Sequence, residues 1–281
     1  MVRQKNASRE NTRSMAMSIF RLGHRHSDRG AEMTPDTMIV DVSEDWAIAC
    51  DVQQRFMQRP KPAIHALSYC ARCRQVRALG GDCYDFLPLS RNRLALAIGD
   101  ASGKSLAGAL MISSVQSSLR TAASFAGDDA AAVVRTVNAQ VYACSLVDRY
   151  ATLFYGVFDG DARTLRYVNG GHNPPMVIRQ DGSMIPLESG GAPVGMFPSW
   201  AYEEAVVQLC PGDLIVAYTD GVTETLNPAG EEWGVEGLRM AVGRGDSRGT
   251  EDIARAVFTS MDEFSKGRQT DDATVVVARV N

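Results

Sequence analysis

The sequence predicts an α+β domain in which antiparallel strands and pairs of helices form layers. Short connections that carry Gly and Asp ("GDAR", "DG" and "PGD") separate the strands of the second half, and such connections are typical of antiparallel hairpins rather than parallel crossovers. Helical segments occur in adjacent pairs beside these strands, as in α+β layers. With 281 residues, of which 45% are hydrophobic and 22% charged, the chain is long enough to bury a large core.

Composition excludes several classes of protein. A net charge of −4 provides no general attraction to nucleic acid or anionic lipid. No run approaches the roughly 18 apolar residues of a membrane span, and "MAMSIF" is too short for a signal-peptide core and is stopped by Arg21. We therefore expect a cytoplasmic protein without nucleic-acid or membrane partners.

The cysteines fit the same expectation. Of the 6 cysteines, only Cys70 and Cys73 have a metal-ligand spacing, and no second such pair completes a site. If "HALSYCARCRQV" is a strand, these two side chains point to opposite faces and cannot chelate together. Reduced, structural cysteines are therefore favoured over a zinc site.

Two regions precede the main domain. Residues 1–40 are polar and basic without sustained periodicity, which predicts a disordered tail. Residues 41–62 are expected to form an amphipathic helix and a linker, with Ser43 as the N-cap and an end before Pro60. The apolar stripe of this helix consists of Trp46, Ala49, Val52 and Phe56.

Residues 63–281 are expected to form one continuous domain. "RLALAI" has the composition of a buried strand, and "SLAGALMISSVQSSLRTAAS" and "DDAAAVVRTVNAQVYACSLV" are predicted as successive helices. The strands that follow are "YATLFYGVFD", "TLRYVNGG", "PMVIRQ", "SMIPLE", "YEEAVVQLC" and "DLIVAYTDG". Two helices near 234–243 and 250–265 precede a final strand, "ATVVVARV".

Four turns that carry aspartate lie at the ends or starts of apolar strands. They are "GGDCYD" (Asp82, Asp85), "AIGDASGK" (Asp100), "AYTDGVTE" (Asp220) and "TDDATVVV" (Asp271, Asp272). Ordinary turn chemistry explains any one of them. If they meet in space, their repulsion requires a cation, and oxygen ligands favour Mg²⁺ or Mn²⁺. Spacing alone leaves their convergence open.

Seven motifs in order carry a resemblance to a known family. They are "GGDCYDFLPL", "LALAIGDASGKSLAGAL", "YATLFYGVFD", "YVNGGHNPPMVI", "PVGMF", "CPGDLIVAYTDGVTETLNPAGEEWG" and "TDDATVVVARV". Through them, residues 64–280 resemble the SpoIIE-type bacterial branch of the PPM-type (type 2C-like) metal-dependent serine/threonine protein phosphatases. The resemblance implies a four-layer α-β-β-α sandwich, in which two antiparallel sheets are flanked by helix pairs, with two metal ions at one edge.

The resemblance also implies a set of site residues. The metal ligands would be Asp82 for one ion, Asp100 as the bridge, the carbonyl of Ala101, and Asp220 and Asp271 for the second ion. Two Mn²⁺ or Mg²⁺ ions would lower the pKa of a bridging water, and the resulting hydroxide would attack phosphorus in line without a protein nucleophile. Ser102 stands where eukaryotic relatives carry a histidine, so the proton donor for the leaving group stays unassigned.

Other positions receive weaker assignments. His172 and Asn173, in "GGHNPP", match a family motif as residues near the substrate, although organisation of the loop explains His172 equally well. Asp85 and Asp272 are placed as structural or supporting residues. Because the start of "ATVVVARV" is expected to be extended, only one of Asp271 and Asp272 should face the metals, and the family pattern places the ligand at Asp271.

The implied activity is hydrolysis of a phosphoserine or phosphothreonine on a protein partner. Within this branch the expected partner is an anti-sigma factor antagonist of a bacterial partner-switching pathway. The helix at 44–58 is expected to convey regulation and to pair two subunits as a homodimer.

Two alternatives stay open at this stage. The first is a non-catalytic phosphatase-fold module that sequesters a regulatory partner, which would predict missing ligands. The second, a P-loop NTPase, is disfavoured because "AIGDASGKS" is one residue short of the G-x-x-x-x-G-K-S/T loop.

Overall fold

The computed structural model describes residues 35–57, 61–90, 92–103, 106–146, 148–245 and 249–281. The chain consists of two units, Met1–Trp46 and Ala47–Asn281. In the first unit the described residues, 35–46, are helical. Most of the predicted tail lies outside the described residues.

The first helix starts earlier than the sequence suggested. Helix α1 spans Pro35–Met57, so Ser43 lies inside it and is not its N-cap. Proline is favoured in the first turn of a helix, because its φ is already helical and its missing N–H has no partner to lose there. The helix start predicted at Ser43 is therefore placed too late.

The predicted elements occur in the predicted order, and the structure adds a two-residue strand and a single helical turn that the sequence analysis does not predict. The strands are β1 (Leu67–Arg74), β2 (Asp82–Ser90), β3 (Arg93–Ala101), β4 (Ala151–Asp159), β5 (Thr164–Gly170), β6 (Met176–Ile178), β7 (Met184–Pro186), β8 (Gly190–Gly191), β9 (Ala205–Gln208), β10 (Leu214–Tyr218) and β11 (Ala273–Val280). The helices are α2 (Leu106–Ala126), α3 (Ala130–Cys144), the single turn α4 (Asp220–Thr223), α5 (Gly234–Gly245) and α6 (Thr250–Ser265).

The strands of the second unit form two sheets. The first has the order β1-β11-β10-β6-β7, and the second has the order β2-β3-β4-β5-β8, with β9 also paired to β5. Among the described residues, every strand pairing is antiparallel except the short one between β5 and β8, which is parallel. The prediction of antiparallel sheets is confirmed apart from this two-residue addition.

In the part of the chain that the structure describes, three apolar cores lie between four layers. The central core joins the facing sides of the sheets, as in the packing of Leu96 and Phe154 with Val276. A second core joins β2–β4 to α2 and α3, and a third joins the first sheet to α5 and α6. The α-β-β-α sandwich is therefore confirmed.

Strand β3 shows how the sequence produces this layering. Leu94, Leu96 and Ile98 point into the central core, whereas Ala95 and Ala97 point towards the helices. Successive side chains on a strand alternate between faces, and the small alanines leave room for the helix pair. A strand buried on both faces therefore appears as a continuous apolar run.

Cys70 and Cys73 lie on opposite faces of β1, as expected for a strand. Cys70 is buried against the outer helices, whereas Cys73 has the strand parity of Tyr69 and Ala71, which face the central core. All 6 cysteines are free thiols. In the part of the chain that the structure describes, no helix is long and apolar enough to cross a membrane.

Candidate active site

A cavity of about 290 Å³ opens at one edge of the two sheets. It is lined by Gly81, Asp100, Ala101, Ser102, Gly103, Tyr150, Thr152, Asp220, Asp271 and Asp272. The structure thus brings four of the five predicted ligand positions to one place. Asp82, the fifth, is 2% exposed and lies behind the cavity wall rather than on it.

Asp82 and Asp100 are brought together by strand pairing. They are directly opposite each other on the antiparallel strands β2 and β3, so their side chains share one face. The neighbouring bond from Ala101 N to Gly81 O is 3.0 Å long and continues the pairing to the end of β3. The pleat therefore presents two carboxylates at the same sheet edge.

Two threonines connect Asp82 to the other sheet. Asp82 Oδ2 accepts hydrogen bonds from Thr219 Oγ1 at 2.8 Å and from Thr274 Oγ1 at 2.6 Å. Thr219 N also donates to Thr274 O at 3.0 Å. Sequence reasoning missed both threonines, although each is a near neighbour of a predicted ligand in "YTDG" or "DDAT".

Asp220 is positioned by the sharp turn that follows β10. The strand ends at Tyr218, and α4 begins at Asp220, so the carboxylate stands at the sheet edge. A Cβ atom at Gly221 would collide with the carbonyl oxygen of Asp272. The glycine of "TDG" is therefore required for the close approach of the segment that precedes β11.

Asp271 and Asp272 both line the cavity, which contradicts the expectation that only one faces it. The chain bends at Asp271, and β11 begins only at Ala273, so the argument from alternation in an extended strand does not apply. Hydrogen bonds distinguish the two residues. Asp272 Oδ1 accepts from Val76 N at 2.7 Å, and its Oδ2 accepts from Gly81 N at 2.9 Å, so Asp272 holds the β1–β2 loop.

Burial and mutual repulsion perturb two of these carboxyl groups. The pKa of Asp100 is raised to about 8, mainly by burial and in addition by the negative charges of the nearby Asp82 and Asp220. Burial also raises the pKa of Asp82 to about 7, although the hydroxyls of Thr219 and Thr274 oppose this rise. Such shifts show that the site is costly to charge without a compensating cation.

The donor set fits a hard divalent cation. A Cβ atom at Gly81 would lie 3.2 Å from both Ala101 O and Asp100 Oδ1, so the missing side chain leaves space in front of these oxygens. Within the described residues, no three His, Cys, Asp or Glu side chains are placed so that they could hold a metal ion together. The carboxylates line the cavity wall instead, and their oxygen chemistry is the kind that Mg²⁺ and Mn²⁺ prefer.

Gln53 of α1 contacts the turn that leads into β2. Gln53 Nε2 donates to Gly80 O at 2.7 Å, and Gly80 N donates to Gln53 Oε1 at 3.1 Å. The side chain is 5% exposed and satisfies both backbone groups of Gly80. Sequence reasoning missed this contact, because the predicted apolar stripe includes the neighbouring Val52, which is exposed, and not the buried Gln53.

His172 is buried behind the cavity. It is 4% exposed, its Nδ1 lies 2.8 Å from Thr152 Oγ1, and its backbone N–H donates to Asn169 Oδ1 at 2.7 Å. Burial lowers the pKa of His172 to about 4. These contacts favour organisation of the loop, while Asn173 is half-buried; contact of either residue with substrate stays a prediction.

Asp85 belongs to a separate ion pair. Arg120 Nε donates to Asp85 Oδ2 at 2.6 Å, and Arg120 Nη2 donates to Phe56 O at 2.5 Å. Asp85 Oδ1 accepts from Phe86 N at 3.0 Å. The carboxylate therefore connects β2, α2 and the end of α1, in agreement with its placement as a structural residue.

The P-loop alternative is excluded by the fold. Asp100 lies within β3, and both neighbours of β3 are antiparallel, whereas a P-loop enzyme needs parallel crossovers.

Ser102, at the position of the eukaryotic histidine, accepts a hydrogen bond from Tyr150 N through its Oγ at 3.1 Å. It therefore closes the β3–β4 edge beside the cavity.

Comparison with known sequences identifies one matching family and several related proteins. The model of the family described as Stage II sporulation protein E (SpoIIE) matches residues 90–281. Protein IcfG of Synechocystis sp. is 27% identical over 262 residues, covering 82% of this chain and 40% of IcfG. Phosphoserine phosphatase RsbU of Bacillus subtilis is 24% identical over 240 residues, covering 85% of this chain and 71% of RsbU. The chain thus spans less than half of the first relative.

Solved structures share the fold. The SiaA-PP2C domain of Pseudomonas aeruginosa superposes with a TM-score of 0.73 at 18% identity, covering 89% of this chain and 100% of that chain. The catalytic domain of the serine/threonine phosphatase PstP, in complex with 2 manganese ions, superposes with a TM-score of 0.58 at 20% identity, covering 76% of this chain and 98% of that chain. At these identities the likeness establishes the architecture alone.

Proposed function

Because this chain belongs to the SpoIIE family of PPM-type phosphatase domains, we propose that it is a metal-dependent protein serine/threonine phosphatase. The observation that carries the proposal is the cavity at the edge of the sheets, which is lined by aspartates from three separate segments, while Asp82 from a fourth segment lies opposite Asp100 behind the cavity wall. Because carboxylates repel one another, such a group requires a cation. The non-catalytic alternative predicts a missing ligand position, and none of the five is substituted.

The proposed ligands are the five positions of the family pattern. Asp82 and Asp100 enter from the second sheet with the Ala101 carbonyl, and Asp220 and Asp271 enter from the first. Two divalent ions, Mn²⁺ or Mg²⁺, would supply an activated water and neutralise charge on the phosphoryl group. The manganese ions of PstP support this choice, and no protein nucleophile is required.

The chain itself holds these groups in place. Thr219 and Thr274 orient Asp82, and Asp272 positions the β1–β2 loop that precedes it. The His172–Thr152 contact supports the cavity wall from behind. Each contact restricts a side chain or loop before any ligand binds, which is the preorganisation that catalysis requires.

The proposed substrate is a phosphoserine or phosphothreonine on a protein. The phosphoserine phosphatase RsbU supports phosphoserine as the reacting residue. Within a bacterial partner-switching pathway, an anti-sigma factor antagonist is the partner that fits this branch, and a cytoplasmic location follows from such a partner. Phosphate release from phosphorylated candidate antagonists, with and without Mn²⁺, tests this assignment.

We also propose that α1 regulates the domain and pairs two subunits. Ile48 is 60% exposed and Val52 is 50% exposed, whereas Gln53 of the same helix contacts the β2 turn. An apolar surface of this kind favours a second copy of the helix. Ile48→Glu with Val52→Glu should convert a dimer to a monomer in light scattering; a monomeric wild type at tens of micromolar contradicts the pairing.

The central experiment removes one carboxylate. Asp220→Asn should abolish Mn²⁺-dependent hydrolysis of p-nitrophenyl phosphate while circular dichroism and the unfolding midpoint stay close to wild type. Chelator should abolish wild-type activity in the same assay. Robust hydrolysis in excess chelator would contradict the metal-dependent proposal.

A further inference from the structure

A second cavity lies next to the carboxylate cavity. It has a volume of about 460 Å³, within the usual range for binding pockets, and its lining residues are Tyr142, Ser145, Leu146, Asp148, Arg149, Tyr150, Gly195 and Met196. We call it the side groove. Tyr150 lines both cavities, so the two spaces meet at this residue.

The side groove has the composition of a protein-binding surface. Leu146 is 78% exposed, Tyr142 44% and Met196 36%. Large apolar side chains exposed together mark interaction sites. Aromatic residues, Met and Arg are enriched in interfaces while Lys, Glu, Asp and Ser are depleted, so Ser145 and Asp148 are the two lining residues that depart from this composition. Neither Lys nor Glu occurs among its described lining residues.

One wall of the groove is held rigidly. The buried Asn138 accepts from Gly195 N through Oδ1 at 2.9 Å and donates through Nδ2 to Phe197 O at 3.1 Å. Gly195 has a φ of +84°, a conformation that glycine adopts without strain. Because this wall is ordered before a ligand arrives, binding loses little conformational entropy.

Arg149 stands at the boundary between the two cavities. Its Nη1 donates to Ser102 O at 3.1 Å, and a Cβ atom at Gly103 would collide with the guanidinium. Ser102 and Gly103 line the carboxylate cavity, while Arg149 lines the groove. A guanidinium is suited to phosphate recognition because it presents several N–H donors in one plane.

We propose that the side groove binds the polypeptide segment that flanks the phosphorylated residue of the protein substrate, with Arg149 contacting the phosphoryl group at the cavity entrance. This inference rests on the proposed phosphatase function and names where its substrate chain lies. A phosphorylated side chain that reaches the carboxylates must leave its backbone outside the cavity, and the groove continues from that opening through Tyr150. Leu146 and Met196 then contact apolar side chains of the substrate.

The test separates binding in the groove from chemistry in the cavity. The probes are p-nitrophenyl phosphate, which needs the cavity alone, and fluorescein-labelled nonapeptides with a central phosphoserine and randomised flanks. We expect Leu146→Ser with Met196→Ser to lower kcat/KM for the peptides about tenfold or more, because each loses buried apolar contact, with less than a twofold change for p-nitrophenyl phosphate. Arg149→Gln should raise KM for both substrates, and Arg149→Lys should restore part of the loss.

Exposed apolar residues far from the groove provide the matched control. Met240 is 51% exposed on α5 and Val206 is 53% exposed on β9, and Met240→Ser with Val206→Ser should leave both substrates unaffected. Wild-type peptide kinetics in the Leu146/Met196 variant would overturn the proposal. A change of molecular mass in that variant without a change of peptide kinetics would assign the groove to self-association and would also overturn it.

A binding measurement keeps this result independent of turnover. Fluorescence anisotropy of the same peptides with the Asp220→Asn protein should show weaker binding when Leu146 and Met196 are replaced. If wild-type protein hydrolyses neither probe with Mn²⁺ but binds peptide through the groove, the proposed function fails and the groove assignment stands. If hydrolysis is normal and replacement of Leu146 and Met196 does not change peptide affinity, the groove assignment fails while the proposed function stands.

Discussion

Asp82 and Asp100 lie directly opposite each other on β2 and β3, two like charges in a cross-strand pair. Such a pair destabilises a sheet when both members are ionised. Burial raises the pKa of Asp82 to about 7 and that of Asp100 to about 8. The domain thus retains an unfavourable pair that a bound cation would stabilise.

The first prediction concerns the metal-free protein. An unfolded chain loses aspartate protons near pH 3.9, whereas the folded chain keeps those of Asp82 and Asp100 to about pH 7 and 8. Because the folded state binds more protons between these values, its stability should fall as pH rises from about 4 to 8.

Calorimetry with chelator and with Mn²⁺ checks the predicted fall of stability with rising pH. Metal should raise the unfolding temperature by on the order of 5 °C more at pH 8 than at pH 5.5. Asp100→Asn in chelator should show a flatter pH dependence than wild type. Equal stabilisation by Mn²⁺ at both pH values would contradict the prediction.

The second prediction separates Asp271 from Asp272. Asp271→Asn should weaken Mn²⁺ binding and cut turnover by orders of magnitude, because it removes a proposed ligand. Asp272→Ala should instead cost about 1 kcal/mol of unfolding free energy, because the N–H groups of Val76 and Gly81 lose their acceptor and the Val76 bond is exposed to water.

Activity at saturating Mn²⁺ distinguishes the two roles. Asp272→Asn, which retains an acceptor oxygen, should keep measurable turnover there, while Asp271→Asn should not. The assignment is wrong if Asp272→Asn abolishes activity and Asp271→Asn stays near wild type.

The third prediction tests whether α1 affects the metal site. Gln53→Leu removes both hydrogen bonds to Gly80 and should increase the Mn²⁺ concentration needed for half-maximal activity, with a loss of about 1–3 kcal/mol in stability. The exposed neighbour Gln54 provides the control variant Gln54→Leu. Indistinguishable Mn²⁺ titrations for the two variants would show that the Gly80 contact does not influence the site.

The fourth prediction concerns the buried ion pair. Asp85→Asn should destabilise the domain by about 3–5 kcal/mol, because Arg120 is left without its charged partner in a buried setting, where its side chain is 14% exposed. Arg135→Ala removes an exposed pair with Asp129, whose side chains are 48% and 57% exposed, and should cost less than about 1 kcal/mol.

Urea denaturation measures both changes in stability. The folded Asp85→Asn protein should hydrolyse p-nitrophenyl phosphate with an unchanged KM, because Asp85 does not line the cavity. A raised KM together with wild-type stability would instead place Asp85 in the reaction.

Local patterns in the sequence determined the order of the elements and the turns that carry Asp82, Asp100, Asp220 and Asp271. Strand alternation and helix periodicity depend on neighbouring residues, so they can be recognised without the fold. The same locality explains the errors. The start of α1 is predicted at Ser43 because capping chemistry is common, and the backbone ahead of β11 is expected to be extended at Asp271, where the chain instead bends.

Only the tertiary structure decided which residues support those aspartates. Thr219 and Thr274 contact Asp82 across 137 and 192 residues of sequence, and Gln53 contacts Gly80 across 27. These contacts form because the two sheets pack face to face and Gln53 of α1 contacts the turn between β1 and β2. Their partners are set by sheet order and register, which depend on how distant apolar faces pack together, and no local spacing encodes them.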